Sequence, residues 1–212
     1  PIRIGVAEDE AFCFYYKDNF RLLKKMGAEL VSFSPVRDAH LPANLKGLIL
    51  GGGYPELNAR ELEANVSMRE DVRRALNDGM PCLAECGGFM YLHDEMEAMD
   101  GNSYHMAGVI SGRAYRTQRL NRFGYVTLTQ KKEVFGMNDM GGIPAHEFHY
   151  FDSENCGDDF NAKKPQSRRG WSCIHGTDTM MAGFPHLYFY GNPKVPEAFL
   201  RKCSRYGRQD AG

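Results

Sequence analysis

The sequence predicts an α/β fold built on a mostly parallel sheet, and two observations carry this prediction. Short apolar segments alternate with amphipathic, helix-like segments through the first half of the chain. Such alternation is typical of parallel strands joined by right-handed crossover helices. From about residue 102 the chain changes to successive strand-like segments without intervening helices, which predicts an added antiparallel portion.

In the first half, strands are expected where short β-prone apolar runs stand between polar or glycine-rich segments; these runs are 2–6, 29–34, 47–50 and 81–84. A first helix follows Asp18, a candidate N-cap, and stops at Gly27. One or two further helices are expected within 61–77, and another over 90–96. The polar, Pro-containing segment 35–45 is expected to be a loop.

In the second half, the expected strands are 106–115, 123–128, 143–151, 170–174, 180–182 and 186–190, followed by a closing helix over 195–206. The segment 131–142 is rich in Gly, Asn and Asp and is expected to be a loop. We expect one domain over residues 1–207 and a disordered tail over 208–212.

Composition excludes several classes of partner. The net charge is −1 and the sequence pI is about 6.8, so nothing indicates nucleic acid or an anionic membrane. No apolar run approaches the roughly 18 residues that a membrane-spanning helix needs. The six cysteines are irregularly spaced and form no metal-ligand pattern, so we expect a reduced, cytoplasmic protein with no metal site. The chain starts at Pro1 without an initiator Met, which we take as the sign of an excised domain or a processed chain.

The segment Ala84-Glu85-Cys86-Gly87-Gly88-Phe89 has the pattern of a nucleophile turn. An apolar run precedes it and a helix-like segment follows, which is the strand–turn–helix context such a turn needs. The turn would push the Cys86 side chain out of the sheet edge, and the glycines would leave space around it. A helix N-terminus at this point would favour thiolate over thiol. Cys86 is therefore the predicted nucleophile.

A cysteine nucleophile needs a base, and three of the seven histidines are serious candidates: His146, His149 and His186. His186 begins an expected strand near the C-terminus, which would place its side chain at the sheet edge. Chemistry by itself leaves the choice among the three open.

The segment Gly51-Gly52-Gly53-Tyr54-Pro55-Glu56 ends the third expected strand. Glycines here let backbone N–H groups turn inward, and the N–H of Gly53 together with that of Gly87 would form an oxyanion hole. A phosphate-binding loop is the alternative, but no Lys-Ser/Thr pair follows the glycines.

Four segments occur in a characteristic order, and they span residues 7–16, 51–57, 84–88 and 146–150. Their sequences are AEDEAFCFYY, GGGYPEL, AECGG and HEFHY. Together they resemble the C-terminal glutamine amidotransferase domains of the cobyrinic acid a,c-diamide synthases, over residues 2–206. The resemblance implies a class I, triad-type amidotransferase fold: a flavodoxin-like three-layer sandwich with a mostly parallel central sheet and an added antiparallel portion.

The same resemblance implies roles for individual residues. The family's nucleophile is the Cys of the ECGG turn, here Cys86, and its base is a His at the start of a late strand, which matches His186. Many class I amidotransferases carry a Glu two residues after that His. Tyr188 occupies this position, so a third member must come from elsewhere or the site works as a dyad.

Substrate contacts are also implied by the resemblance. Related amidotransferases hold the glutamine carboxylate with an Arg, for which Arg122, and after it Arg119, is the candidate. Tyr54 and Glu56 are expected to contact glutamine. His146 and Glu147 then become residues of the pocket wall or of an interface.

The implied activity is hydrolysis of glutamine through a Cys thioester, which supplies ammonia for ATP-dependent amidation of the a- and c-carboxylates of cobyrinic acid. ATP and Mg²⁺ would bind an N-terminal synthetase domain, in cis or as a subunit, with the corrinoid at the domain interface. This chain has no phosphate loop, so no cofactor is expected in it.

Two alternatives stay open. One is another cysteine hydrolase of the same fold, of the γ-glutamyl hydrolase kind. The other is a catalytically silent module whose surface around residues 12–16 docks a synthetase partner or a corrinoid.

Overall fold

The computed structural model describes residues 1–120 and 122–208. Its strands are β1 (Ile2–Ala7), β2 (Ala28–Phe33), β3 (Gly47–Leu50), β4 (Cys82–Glu85), β5 (His93–Glu97), β6 (Ser103–His105), β7 (Ile110–Arg116), β8 (Arg122–Gln130), β9 (Ile143–His149), β10 (Phe151–Ser153), β11 (Phe160–Lys163), β12 (Gly170–Cys173), β13 (His175–Gly176), β14 (Met180–Gly183) and β15 (His186–Leu187). Its α-helices are α1 (Lys17–Lys25), α2 (Ala59–Ala64), α3 (Val66–Asn77), α4 (Gly87–Tyr91) and α5 (Lys194–Arg205).

The central sheet has the strand order β13-β14-β4-β3-β1-β2. The pairs β1·β2, β1·β3, β3·β4 and β4·β14 are parallel, and only the edge strand β13 is antiparallel to its neighbour. Counted along the chain, the parallel strands have the 2-1-3-4-5 order of flavodoxin-like folds. This confirms the predicted flavodoxin-like α/β class.

Two separate apolar cores lie on the two faces of this sheet. Leu48, Leu50 and Ala84 pack with α2 and α3, whereas Ile49 and Leu83 pack with α1 and α5. Successive side chains of a strand point to opposite faces, so short, almost wholly apolar strands fill both cores at once. The result is the predicted three-layer arrangement.

The second half of the chain forms two added sheets. One is antiparallel with the order β12-β11-β8-β9-β15, and the other has the order β10-β7-β5-β6 and includes one parallel pair, β5·β7. An added antiparallel portion was expected and is confirmed. Its strands β6 and β11 were not predicted from the sequence, nor was the short β13 at the edge of the central sheet.

The helix expected over residues 90–96 is wrong for most of its length, because only Met90 and Tyr91 are helical. Helix α4 ends at Tyr91, and the following residues form β5. The reason is His93, whose Nδ1 lies 2.9 Å from the Phe89 carbonyl and whose Nε2 lies 2.6 Å from Oγ of Ser153. The Phe89 contact is local, but the Ser153 contact reaches β10, which pairs with β7 as β5 does, and so holds the segment extended in that sheet.

Three further boundaries differ from expectation. Helix α1 begins at Lys17 without a side-chain cap, and Asp18 instead forms an ion pair with Arg21 at 3.0 Å. The strand expected over 106–115 begins only at Ile110, with Gly108 at φ +72° in the connection before β7. The strand expected over 186–190 ends at Leu187, where a 3₁₀ turn follows.

Of the tail predicted over 208–212, all but Arg208 lies outside the described residues. Within the described residues, no helix is both long and apolar enough to cross a membrane.

Candidate active site

Cys86 stands immediately after β4 in a backbone conformation that side chains rarely adopt, with φ 49° and ψ −105°. Hydrogen bonds from both sides fix the turn: the Cys86 N–H donates to the Gly183 carbonyl at 2.8 Å, and the Gly88 N–H donates to the Gly51 carbonyl at 2.9 Å. A Cβ on Gly88 would lie 2.0 Å from the Leu50 carbonyl oxygen, so glycine is required there. This is the strained strand-to-helix turn of a nucleophile elbow.

The two amides predicted to bind an oxyanion are neighbours. A Cβ on Gly87 would lie 3.3 Å from the nitrogen of Gly53. Gly53 has φ +149°, and a Cβ there would lie 2.3 Å from the Ala11 carbonyl oxygen, so this position also needs glycine. Within residues 1–120 and 122–208, the Gly53 N–H donates no hydrogen bond to another protein group. The Gly87 N–H points at the Cys86 thiol. Both donors are therefore placed for an oxygen beside the sulfur.

Cys86 and His186 line one cavity of about 390 Å³, which falls within the usual range for small-molecule sites. Its other polar lining comes from Gly53, Tyr54, Glu56, His146, His149 and Tyr150. All three candidate bases thus line the same cavity as the nucleophile, together with Tyr54 and Glu56, two of the expected substrate contacts. The site lies at the carboxyl ends of the parallel strands, where ligands bind in such sheets.

His186 is carried by β15, which leaves the central sheet and pairs with β9 so that His186 lies opposite His146. Its ring packs edge-on against Phe14, with 5.2 Å between centroids. A Cβ on Gly52 would lie only 2.7 Å from Cε1 of the ring. Burial, with contributions from His146 and His149, lowers the pKa of His186 to about 4. The ring is therefore neutral at neutral pH and can accept a proton.

Burial raises the pKa of the Cys86 thiol to about 12, with Glu56 adding to the rise and the Gly87 N–H opposing it. The expected bias of the helix N-terminus toward the thiolate is therefore outweighed by burial. Helix α4 has only five residues, too few for a sizeable dipole, and carboxylates lie nearby. Attack by Cys86 requires that a base remove its proton during the reaction.

His149 and Glu147 form a buried pair on β9, with 3.6 Å between His149 Nε2 and Glu147 Oε1. The Nδ1–H of His149 donates to the Phe151 carbonyl at 2.7 Å, and the ring stacks on Phe184 at 4.0 Å. Among the described residues, His149 Nε2 and Glu147 Oε2 lack hydrogen-bond partners. His149 is thus a fixed wall of the cavity, while Glu147, 2% exposed, lies inside the domain rather than on its surface.

The structure does not bring Arg122 to the cavity. Its guanidinium lies over the Trp171 ring, 4.4 Å from the centroid, where a cation–π contact holds it. Arg119, the second candidate, is exposed. Tyr188, which occupies the position of the usual triad Glu, is 39% exposed and packs against Tyr16 and Tyr190, so it does not orient His186.

Two residues near the site escaped sequence reasoning. Phe14 packs on His186, and Glu85, although part of the ECGG motif, had been given no role. The carboxylate of Glu85 accepts the N–H of Leu187, at 3.1 Å and 3.3 Å to its two oxygens. Its place directly before Cys86 was the available signal.

Comparison with known proteins agrees with this geometry. Residues 3–193 match the model of the CobB/CobQ-like glutamine amidotransferase domain. A glutamine amidotransferase of known structure superimposes with a TM-score of 0.64 at 18% identity, covering 95% of this chain and 98% of the other. PurLQS from Thermotoga maritima gives a TM-score of 0.64 at 14% identity, over 97% of this chain and 99% of that one. These two structures support the class I amidotransferase fold.

The chain belongs to the CobB/CobQ-like glutamine amidotransferase domain family. Its relatives include the cobyrinate a,c-diamide synthases of Caldanaerobacter subterraneus subsp. tengcongensis, 38% identical over 98% of this chain, and of Picrophilus torridus, 41% identical over 95% of it. The matched regions are 46% and 44% of those two proteins. The chain therefore spans about half the length of the curated relatives it matches.

Proposed function

We propose that this domain hydrolyses glutamine at Cys86 and supplies the ammonia for ATP-dependent amidation of the a- and c-carboxylates of cobyrinate. The observation that carries the proposal is the placement of Cys86, in its strained turn, and neutral His186 around one cavity. The synthases that share more than a third of its residues act, by their names, on cobyrinate.

The chemistry follows from the protonation states. His186 takes the thiol proton while Sγ of Cys86 attacks the side-chain amide carbon of glutamine. The N–H groups of Gly53 and Gly87 hold the oxyanion. The imidazolium then protonates the departing nitrogen, which leaves as ammonia and a thioester remains. Neutral His186 next activates a water molecule, whose attack releases glutamate and restores the thiol.

The Glu56 carboxylate and the Tyr54 phenol, both in the cavity wall, are proposed to hold the substrate. Burial raises the pKa of Glu56, and an ammonium group of glutamine placed beside it would favour its ionised form. Tyr54, which is 56% exposed at the mouth, would close over the ligand. With its guanidinium over Trp171, Arg122 would have to leave that ring to reach the glutamine carboxylate.

We further propose that an ATP- and Mg²⁺-binding synthetase half, in cis or as a subunit, covers the mouth of the cavity, with the corrinoid between the halves. More than half of the length of each relative lies outside the region that matches this chain, which is enough for such a second domain. Four exposed aromatic side chains lie on β8, β9 and the next residue: Phe148 and Tyr150 line the cavity, and Phe123 and Tyr125 pack beside them against Phe148 and His146. Exposed apolar clusters of this kind mark interaction sites.

The cytoplasm is the proposed compartment. All six cysteines are free thiols, two of them only partly buried and Cys13 exposed. Unpaired thiols of this number suit a reducing environment.

The test is a comparison of substrates. The chain should release ammonia and glutamate from glutamine, and addition of the synthetase half with ATP, Mg²⁺ and cobyrinate should raise turnover and give the amide. Faster cleavage of γ-glutamyl peptides than of glutamine would favour the hydrolase alternative. Absence of any hydrolysis, with and without the second half, would favour the silent docking module.

A further inference from the structure

The base of the proposed reaction lacks an orienting partner in its usual place. A catalytic His is normally held in position by a carboxylate or amide on the far side of the ring. Tyr188 stands where that carboxylate is expected and turns outward. Within the described parts of the chain, neither ring nitrogen of His186 has a hydrogen-bond partner.

The carboxylate of Glu85 links the two halves of the site. It is the last residue of β4, directly before Cys86, and its oxygens accept the N–H of Leu187, the residue after His186. This side chain therefore ties the nucleophile turn to β15. Because strand residues alternate, Glu85 shares the face of Leu83, which is the face on which β15 packs.

Glu85 and His186 also line the same small cavity of about 30 Å³, enclosed mainly by the aromatic rings of Phe14, Tyr15 and Phe20. This cavity is separate from the larger one that opens at Cys86, although His186 borders both. It is large enough for a water molecule, and its polar lining supplies partners for one.

We propose that Glu85 is the positioning residue of this site: across the small cavity, directly or through one water molecule, it orients the His186 ring toward Cys86. It takes the place of the carboxylate that Tyr188 does not provide. The inference rests on the proposed function, in which His186 is the base.

The electrostatics of the pair favour this role. Burial raises the pKa of Glu85 to about 8, and the Leu187 N–H opposes the rise. Once Glu85 is ionised, its charge stabilises the imidazolium that forms when His186 takes the thiol proton. Six other titratable groups face the pair. They are Cys86 after β4, His146 and His149 on β9, Tyr15 and Tyr16 before α1, and Glu56 after β3.

Glu85→Gln separates charge from structure. The amide keeps a carbonyl oxygen for the Leu187 N–H, so β15 stays attached, but the negative charge is lost. Glu85→Ala removes both. Tyr188→Phe is the matched control, because that side chain points away from the ring.

The measurement is the rate at which a diazo-ketone glutamine analogue modifies Cys86, followed by mass spectrometry of the Cys86 peptide between about pH 6 and pH 9. We expect the wild-type rate to rise through the titration of Glu85. Glu85→Gln should keep the wild-type melting temperature, lose this rise and therefore react at least about tenfold more slowly than the wild type at pH 9. Wild-type rate and profile in Glu85→Gln would overturn the proposal, as would a defect confined to Glu85→Ala.

Alkylation of Cys86 by iodoacetamide provides a second measurement, which does not depend on glutamine recognition. A pH profile that differs between wild type and Glu85→Gln supports the positioning role even if the glutamine analogue does not react with the wild type. Failure of the wild type to react with the glutamine analogue would contradict the proposed function but not the positioning role of Glu85. Identical iodoacetamide profiles would overturn the inference.

Discussion

At the scale of single residues, reactivity depends on how Cys86 and His186 are held rather than on a permanent charge at the sulfur. The thiol has a pKa of about 12 and the imidazole a pKa of about 4, so the resting pair is neutral at neutral pH. In the proposed reaction the proton moves only when sulfur attacks, and the N–H groups of Gly53 and Gly87 would stabilise the oxyanion that this attack forms. We therefore expect neither Cys86 nor His186 to support the reaction efficiently without the other.

His186→Ala should slow modification of Cys86 by the diazo-ketone glutamine analogue by about 10²-fold or more, almost as much as loss of the nucleophile. Base and nucleophile act as a unit, so their losses do not add. The rate of labelling, read at the Cys86 peptide, gives the answer. Labelling at the wild-type rate would move the base to His146 or His149.

Gly52→Ala should displace the base without damaging the fold. The added methyl group would lie 2.7 Å from Cε1 of His186, and the ring must move to admit it. Misplacement of a catalytic group by about 1 Å can cost up to about 10²-fold, so we expect labelling to fall by about tenfold or more at an unchanged melting temperature. Gly142→Ala, whose methyl group would meet only Thr127 Cγ2 at 3.0 Å, is the matched control. Equal rates in both variants would show that Gly52 does not set the ring position.

At the scale of elements, His93 joins α4 and β5 to β10 through its contacts with Phe89 and Ser153. Burial is the main reason that its pKa falls to about 4. The unfolded chain binds this proton near pH 6.5, whereas the folded protein resists it until about pH 4. His93 therefore contributes stability above pH 6.5 that is lost as the pH falls toward 4.

The loss attributable to His93 should be up to about 3 kcal/mol, at 1.36 kcal/mol for each pKa unit. Urea unfolding between about pH 7 and pH 4 measures it. His93→Gln should be less stable at pH 7 but show a flatter decline, and His186 accounts for part of the decline that remains. A decline as steep as that of the wild type would contradict the assignment.

The elements that the sequence predicted are those with local signals. The strands β1, β3 and β4 are apolar runs bounded by polar or glycine residues, and their parallel order follows from the helices between them. By contrast, β5 exists because His93 finds partners far along the chain, and β13 and β15 each have two residues. Periodicity carries no signal for such pairings, because they are decided by tertiary contacts.

The same distinction holds within the site. Cys86 and the glycines around it follow a local motif, so the nucleophile was predictable. The choice of His186 needed a family resemblance, because three histidines met the chemical requirement and all three reach the cavity. Arg122 shows the limit of a single sequence: it was expected just before a strand over 123–128 and is the first residue of β8, but its guanidinium packs on the Trp171 ring of β12 instead of reaching the cavity.

At the scale of the whole molecule, the exposed aromatic side chains of β8 and β9 form the surface that we propose a second half covers. Tyr125 is 73% exposed, although its ring already contacts His146 in the cavity wall, with 5.1 Å between centroids. Docking there would shield the cavity from water and would let the partner sense whether glutamine is bound.

Tyr125→Glu should weaken amidation in the presence of the synthetase half by about tenfold or more, because a charge in an apolar interface must be desolvated. Hydrolysis of glutamine by the isolated chain should change much less. Met99→Glu, at an exposed apolar position outside the cavity lining, controls for surface charge. Equal coupling in the two variants would place the contact elsewhere.

The central claim is that Cys86 attacks the side-chain amide of glutamine. It is tested most directly by mass spectrometry of the chain after treatment with a diazo-ketone glutamine analogue, with and without competing glutamine. The account predicts one adduct per chain, located on Cys86, suppressed by glutamine, absent from Cys86→Ser and sparing the fully buried Cys82. An adduct on another cysteine, or glutamine hydrolysis by Cys86→Ser above about a hundredth of the wild-type rate, would contradict it.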